Sequence, residues 1–197
     1  MNLIEKHIGQ VDPQARWSRQ GHTSGVIWFT GLSGAGKSTL AAGLERVLFD
    51  QGMRVVVLDG DNLRHGLTGD LGFSDKDRHE NIRRITETAA AFIVSGTVVI
   101  TAFISPFRAD REMARDKIGE QFHEVFIQAD LEVCEARDPK GLYARARAGE
   151  ITHFTGISSP YEVPRNPHLI LNTGDEDFDA CLAQLRDYAL IAFPQSN

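Results

Sequence analysis

The chain has 197 residues, enough for one domain with a full core and short for two. Its 42% apolar and 24% charged content is that of a soluble globule, and a net charge of −6 argues against general nucleic-acid binding, which needs a basic balance or stripe. The two cysteines, Cys134 and Cys181, form no CxxC pair, which excludes a zinc ribbon or a disulfide scaffold and points to a reducing compartment.

Residues 1–24 read as a polar, irregular arm with Trp17 as its one large anchor. No apolar run approaches the roughly 18 residues of a membrane span, and the opening residues lack a secretory apolar core, so a cytoplasmic protein without a membrane partner is expected. From Gly25 onward apolar runs alternate with helical windows. Strands are expected at 26–30, 54–59, 97–104, 123–129 and 168–173; each is apolar without alternation, as for parallel strands buried on both faces. Helices are expected from Lys37 to Gln51, Arg78 to Ser95, Phe107 to Glu120, Leu131 to Arg137 and about Asp177 to Ala192, with Gly52 and Gly96 placed as helix stops. This β-α-β order predicts an α/β, three-layer fold around a central, mainly parallel five-stranded sheet. The domain runs from 25 to 197. The Gly-, Arg- and Pro-rich segment from about 139 to 166 reads as a lid.

"GLSGAGKST", Gly31 to Thr39, fits G-x-x-x-x-G-K-[ST] between an apolar strand and a helix. Glycines let backbone N–H groups turn in around phosphate oxygens, and the helix N-terminus adds positive potential. Lys37 is placed for β- and γ-phosphates and Ser38 for Mg²⁺. A dinucleotide-binding reading fails because the glycines at 31, 34 and 36 are in the wrong order and leave Lys37 and Ser38 without a role. A GTPase reading fails for want of an N-K-x-D guanine motif.

Acceptor candidates follow at the carboxyl ends of the strands, where open α/β sheets place ligands. Asp59 and Asp61 close the second strand; as acids they suit a general base or a metal, and as "DGDN" they equally suit a turn or helix cap. Arg78 and Asn81 share one helix face, a pattern for an anion and a ribose or base edge or for a solvated surface. Ser105 ends the third strand before Pro106, either as a substrate contact or as an N-cap with proline at N1. Lys140 and Phe154 lie in the basic segment that would close on nucleotide, Phe154 as a base-stacking ring or a core anchor.

The ordered set "WFTGLSGAGKST", "LDGDNLRHGL", "RHENIRRI", "FISPFRADR", "DPKGLYARARAGEI" and "FTGI…PYE" resembles the adenylylsulfate kinase family from about Gly25 to the last helix. That resemblance implies a P-loop kinase, with ATP and Mg²⁺ as cofactors, that phosphorylates the 3′-hydroxyl of adenosine 5′-phosphosulfate and works as a homodimer. By the same resemblance Gly31, Leu32, Ser33, Gly34, Ala35, Gly36, Lys37, Ser38 and Thr39 hold ATP. Ser38 and Asp61 hold the metal, with Asp61 also at the reacting hydroxyl. Asp59, Asn62, Arg64, Arg78, Asn81, Ile104, Ser105 and Lys140 contact the acceptor, with Phe73 and Phe154 on its adenine and His153 beside them. Ser105 matches the serine to which the family assigns a phosphoserine, although direct in-line transfer needs none. The chain departs from the family pattern at His153, where glycine is usual, at Ser158, where an acid is usual, and at His79, where glutamate is frequent and a surface position is expected. Two rival readings are a P-loop kinase for another metabolite, such as gluconate or a nucleoside monophosphate, and a non-catalytic ATP-binding module.

Overall fold

The five apolar runs become five parallel strands. The computed structural model describes residues 10–195. In chain order its elements are α1 (Pro13–Gln20), β1 (Val26–Thr30), α2 (Lys37–Asp50), β2 (Val55–Asp59), α3 (Gly60–Leu63), α4 (Asp75–Val94), β3 (Val98–Ala102), α5 (Arg108–Ile118), β4 (Phe122–Gln128), α6 (Leu131–Arg137), α7 (Leu142–Arg147), β5 (Leu169–Asn172) and α8 (Phe178–Ala192). The strands lie in the order β2-β3-β1-β4-β5, and every pairing is parallel.

β1 is the central strand, and all five of its residues are fully buried. Its alternation divides the core in two. Ile27 and Phe29 face a cluster with Leu40, Leu44, Leu48, Leu185 and Ala189 of α2 and α8. Val26 and Trp28 face a cluster with Ile82, Ile85, Ala89 and Ala114 of α4 and α5. These are the two helical layers expected for the fold. Gly52 and Gly96 follow α2 and α4 with φ of 78° and 88°, the left-handed geometry that ends a helix cheaply at glycine.

Three helices depart from the sequence reading. Part of the arm forms α1, started by Asp12, whose side chain accepts the Gln14 N–H at 3.0 Å, with proline in the first turn. It docks on its own chain: Trp17 Nε1–H donates to Ser24 Oγ at 2.8 Å and Gln20 Nε2–H to Ser95 O at 3.2 Å. Residues 1–9 of the arm lie outside the described residues. The single turn α3 and the six-residue α7 are too short to show a helical period. Among the described residues no helix is long and apolar enough to cross a membrane.

Candidate active site

At the carboxyl edge of the sheet lies a cavity of about 1100 Å³ running from the Gly31–Thr39 loop to the 73–81 segment. The loop turns into α2 through Gly36, whose φ is 93°, and α2 has no side-chain N-cap. A Cβ on Gly34 would stand 2.9 Å from Cys134 O, so a side chain there would force loop and α6 apart.

The carbonyls of Gly31 to Ala35 are each engaged by a side-chain donor. Lys37 Nζ donates to Gly31 O at 3.0 Å and Leu32 O at 2.6 Å. Tyr143 Oη–H donates to Ser33 O at 2.9 Å, Arg137 to Gly34 O at 3.4 Å, and Thr173 Oγ1–H to Ala35 O at 2.8 Å. With the carbonyls so held, the loop N–H groups and the uncapped start of α2 make an anion-binding concavity. Burial lowers the pKa of Lys37 to about 8, opposed by nearby groups that include Asp59 and Asp61.

Asp59 and Asp61 have different partners. Ser38 Oγ–H donates to Asp59 Oδ2 at 2.6 Å, while Asp59 Oδ1 accepts the Asp61 N–H at 2.9 Å and so caps α3. Asp61 is ion-paired with Lys140 of the 139–166 segment. The turn reading of "DGDN" holds, and the cap places Asp59 at the cavity.

At the end of the cavity away from the phosphate loop, the Arg64 guanidinium lies 4.1 Å from the centroid of the exposed Phe73 ring and donates to Leu71 O at 3.2 Å. Arg78 ties two segments together: Nε–H donates to Phe73 O at 3.0 Å, Nη1–H to Thr155 Oγ1 at 2.8 Å, and Nη2–H to His153 O. Burial lowers the pKa of both arginines. Asn81 is buried at the cavity wall, and its Oδ1 has no hydrogen-bond partner among the described residues. Phe154 is both anchor and wall: it packs edge-on against Tyr143 at 5.0 Å and lines the cavity.

Ser105 does not cap α5. Its φ is 36°, the helix starts at Arg108, and Phe107 is the N-cap residue. Its atoms are used elsewhere: Oγ accepts from Trp28 Nε1–H at 3.1 Å, and O accepts from Arg111 Nη1–H at 2.6 Å. These contacts turn the chain inward at Ser105, and the helix begins three residues later.

Of the residues singled out from sequence, Lys37, Ser38, Asp59, Asp61, Arg64, Phe73, Arg78, Asn81, Ile104, Ser105, Lys140 and Phe154 all line this one cavity. Ser33, Gly34, Gly36 and Thr39 line it as well, whereas Gly31, Leu32, Ala35, Asn62 and His153 lie off its wall. His153 touches the site through its carbonyl on Arg78. Its φ of 57° explains a glycine preference at this position. Ser158 Oγ accepts the Phe154 N–H at 2.9 Å, a job an acidic side chain does equally well. His79 is half-exposed as expected, yet its Nδ1 is also within hydrogen-bond reach of the buried Asp110 carboxyl, whose pKa burial raises. Arg137, Thr173 and Phe178 extend the phosphate-loop end of the cavity and were not singled out as site residues from sequence. Thr173 follows directly on β5, so the strand-end rule could have found it.

A phosphate loop that opens onto a carboxylate pair and an arginine-lined acceptor pocket defines a P-loop phosphotransferase for a small anionic acceptor. A model of the adenylylsulphate kinase family matches residues 23–172, and the chain belongs to that family. It is 55% identical over 183 residues to the probable adenylyl-sulfate kinase of Bacillus subtilis, covering 92% of this chain and 93% of that protein. It is 57% identical over 180 residues to the adenylyl-sulfate kinase of Prochlorococcus marinus, covering 91% and 90%. The structure of the Mycobacterium tuberculosis APS kinase in complex with AMPPNP and APS superposes with a TM-score of 0.82 at 49% identity, covering 85% of this chain and 98% of that one. A gluconokinase from Sinorhizobium meliloti, at 19% identity and a TM-score of 0.53, shares the fold alone.

Proposed function

We infer that the chain transfers the γ-phosphate of ATP to the 3′-hydroxyl of adenosine 5′-phosphosulfate, giving ADP and 3′-phosphoadenosine 5′-phosphosulfate. The observation that carries this reading is the single cavity that joins the phosphate loop to Asp61, Arg64, Arg78 and Asn81. The tuberculosis relative, described with an ATP analogue and APS together, supports the same ligand pair here.

The loop from Gly31 to Thr39 cradles the triphosphate through backbone N–H groups, and Lys37 lies against the β- and γ-phosphates. Arg64 and Arg78 balance the acceptor's phosphosulfate. Phe73 and Phe154 flank its adenine, and Asn81 uses its free Oδ1 on a ribose hydroxyl or base N–H. Ile104 and Ser105 form the wall behind the acceptor. Asp61 accepts the 3′-hydroxyl proton, and Lys140 orients its carboxylate. Ser38 Oγ beside the Asp59 carboxylate is an all-oxygen donor set of the kind Mg²⁺ takes, with Asp61 two residues away. Mg²⁺ held there supplies charge neutralisation on the β- and γ-phosphate oxygens. The 139–166 segment, tied to the loop by Tyr143 and to Arg78 by His153, acts as the lid that excludes water.

An acceptor panel with γ-labelled ATP tests the reading. Label is expected on adenosine phosphosulfate and not on gluconate or a nucleoside monophosphate, and lost on chelation of Mg²⁺. Transfer to another acceptor with none to adenosine phosphosulfate would overturn it. We also infer a homodimer, which light scattering checks. A hexameric mass, as described for the Thiobacillus denitrificans APS kinase, would be the contrary result.

A further inference from the structure

Arg111 lies behind the Ser105 wall. Its side chain is 3% exposed, and it does not line the cavity. Its guanidinium has three partners. Nε–H donates to Glu124 Oε1 at 2.7 Å, Nη1–H to Ser105 O at 2.6 Å, and Nη2–H to Glu162 O at 2.6 Å. A buried ion pair requires only the first of these. The other two are backbone carbonyls from segments more than fifty residues apart in sequence.

Those segments are functionally distinct. Residues 104–106 are the acceptor wall, and Ser105 is held there in a left-handed conformation unfavourable to a side chain. Residues 161–163 belong to the 139–166 segment. Further bonds lock the two together. Glu162 N–H donates to Pro106 O at 2.9 Å, and Glu162 Oε2 accepts the Arg108 N–H at 2.7 Å. Tyr161 Oη lies 2.9 Å from Thr30 Oγ1, which donates to Ile104 O at 2.8 Å. The Arg111 side chain reaches the wall, the lid root and, through Glu124, the sheet. Its rigid fork suits that task as a lysine ammonium does not.

We propose that Arg111 is a positioning residue for the acceptor, fixing the Ser105 wall against the Tyr161–Glu162 root of the lid so that the two act as one surface toward the sulfated nucleotide. This rests on the acceptor end assigned above.

The test is steady-state kinetics on Arg111→Lys, with both substrates varied. Lysine keeps the charge beside Glu124 and loses the fork. Loss of two charge-assisted bonds to the wall is expected to raise KM for adenosine phosphosulfate by roughly tenfold, while KM for ATP stays within about twofold. Arg115→Ala is the control. Arg115 shares Glu124 at 2.8 Å, is partly exposed and does not touch the wall, so its variant keeps all three constants near wild type. Tyr161→Phe removes only the hydroxyl on Thr30 and is expected to raise the acceptor KM by about threefold with the ATP KM unchanged. It carries the test if Arg111→Lys does not fold. A folded Arg111→Lys with an unchanged acceptor KM, or with equal rises in both KM values, makes Arg111 merely structural and overturns the proposal. So does an unchanged Tyr161→Phe should the lysine variant not fold. Wild-type turnover is measured first; its absence with adenosine phosphosulfate would refute the acceptor reading itself.

Discussion

Ser38 donates its hydroxyl to Asp59 Oδ2 at 2.6 Å, bridging the start of α2 and the end of β2, while Asp61 meets Lys140 instead. The two acids of "DGDN" are therefore divided between the phosphate side and the lid side of one cavity. Asp59 stands with the Ser38 hydroxyl proposed to hold Mg²⁺, so Asp59→Asn should raise the Mg²⁺ concentration for half-maximal activity by about 10- to 100-fold, the equivalent of one charged contact. Asp61→Asn should leave that requirement nearly unchanged and lower kcat by about 10²–10⁴, the usual contribution of a general base. Metal titration of both variants checks the split. Equal effects on both quantities in both variants would contradict it.

Lys37 is buried, and desolvation lowers its pKa to about 8 in the free protein. Lys37→Ala should lower kcat steeply by removing the cation at the β- and γ-phosphates. The wild type should show kcat/KM for ATP falling above about pH 8, because that ratio reports the free enzyme, while kcat, which reports the phosphate-bound state, holds to higher pH. Stability has the opposite sign. A cation whose folded pKa lies below its unfolded value of 10.5 binds fewer protons in the folded state between those limits. Its burial therefore costs stability below about pH 8, and the cost is relieved as pH rises toward 10.5. Thermal unfolding of wild type against Lys37→Met across that window checks the sign.

The parts of this site that lie within one motif were legible in the sequence. Val26 to Phe29 and Val98 to Ile100 are continuously apolar because both faces of the sheet are covered, and Gly31 to Ser38 carries its own geometry. What was not legible depends on distant partners. Local pattern leaves Arg78 open between an anion contact and a solvated helix face, because His153 and Thr155, its partners, come from about 75 positions away. Ser105-Pro106 has the composition of a helix start, and the contacts from Trp28 and Arg111 override it. Arg83 and Arg84, in the same charged run, do take the solvated fate, paired to Glu80 and Asp70.

His153 holds φ at 57° while its carbonyl accepts from Arg78. A non-glycine residue in this region carries about 1–2 kcal/mol of strain. Glycine removes that strain but loses about 0.5–1 kcal/mol in chain entropy. His153→Gly should therefore change stability by less than about 1 kcal/mol, or roughly 2–4 °C in Tm. A β-branched residue tolerates this geometry worst, so His153→Val should destabilise clearly and, by displacing Arg78, raise the acceptor KM. Melting curves and acceptor kinetics on the pair check both statements; equal behaviour of Gly and Val would contradict them.

Ser105 Oγ has one identified task, accepting the buried Trp28 Nε1–H at 3.1 Å. If the hydroxyl only positions the wall, Ser105→Ala keeps measurable kcat, since in-line attack by the 3′-hydroxyl needs no covalent intermediate. The same variant leaves the indole N–H without a partner, which costs about 1–3 kcal/mol. A drop of several degrees in Tm should accompany retained turnover. Trp28→Phe removes the donor instead, and the double variant should be less destabilised than the sum of the two single variants, because each already breaks the same bond. A folded Ser105→Ala protein with no turnover would instead require a phosphoserine step. It would also place Ser105 among the reacting groups, and label from γ-labelled ATP on wild-type Ser105, chased into product by adenosine phosphosulfate, would then be the decisive measurement.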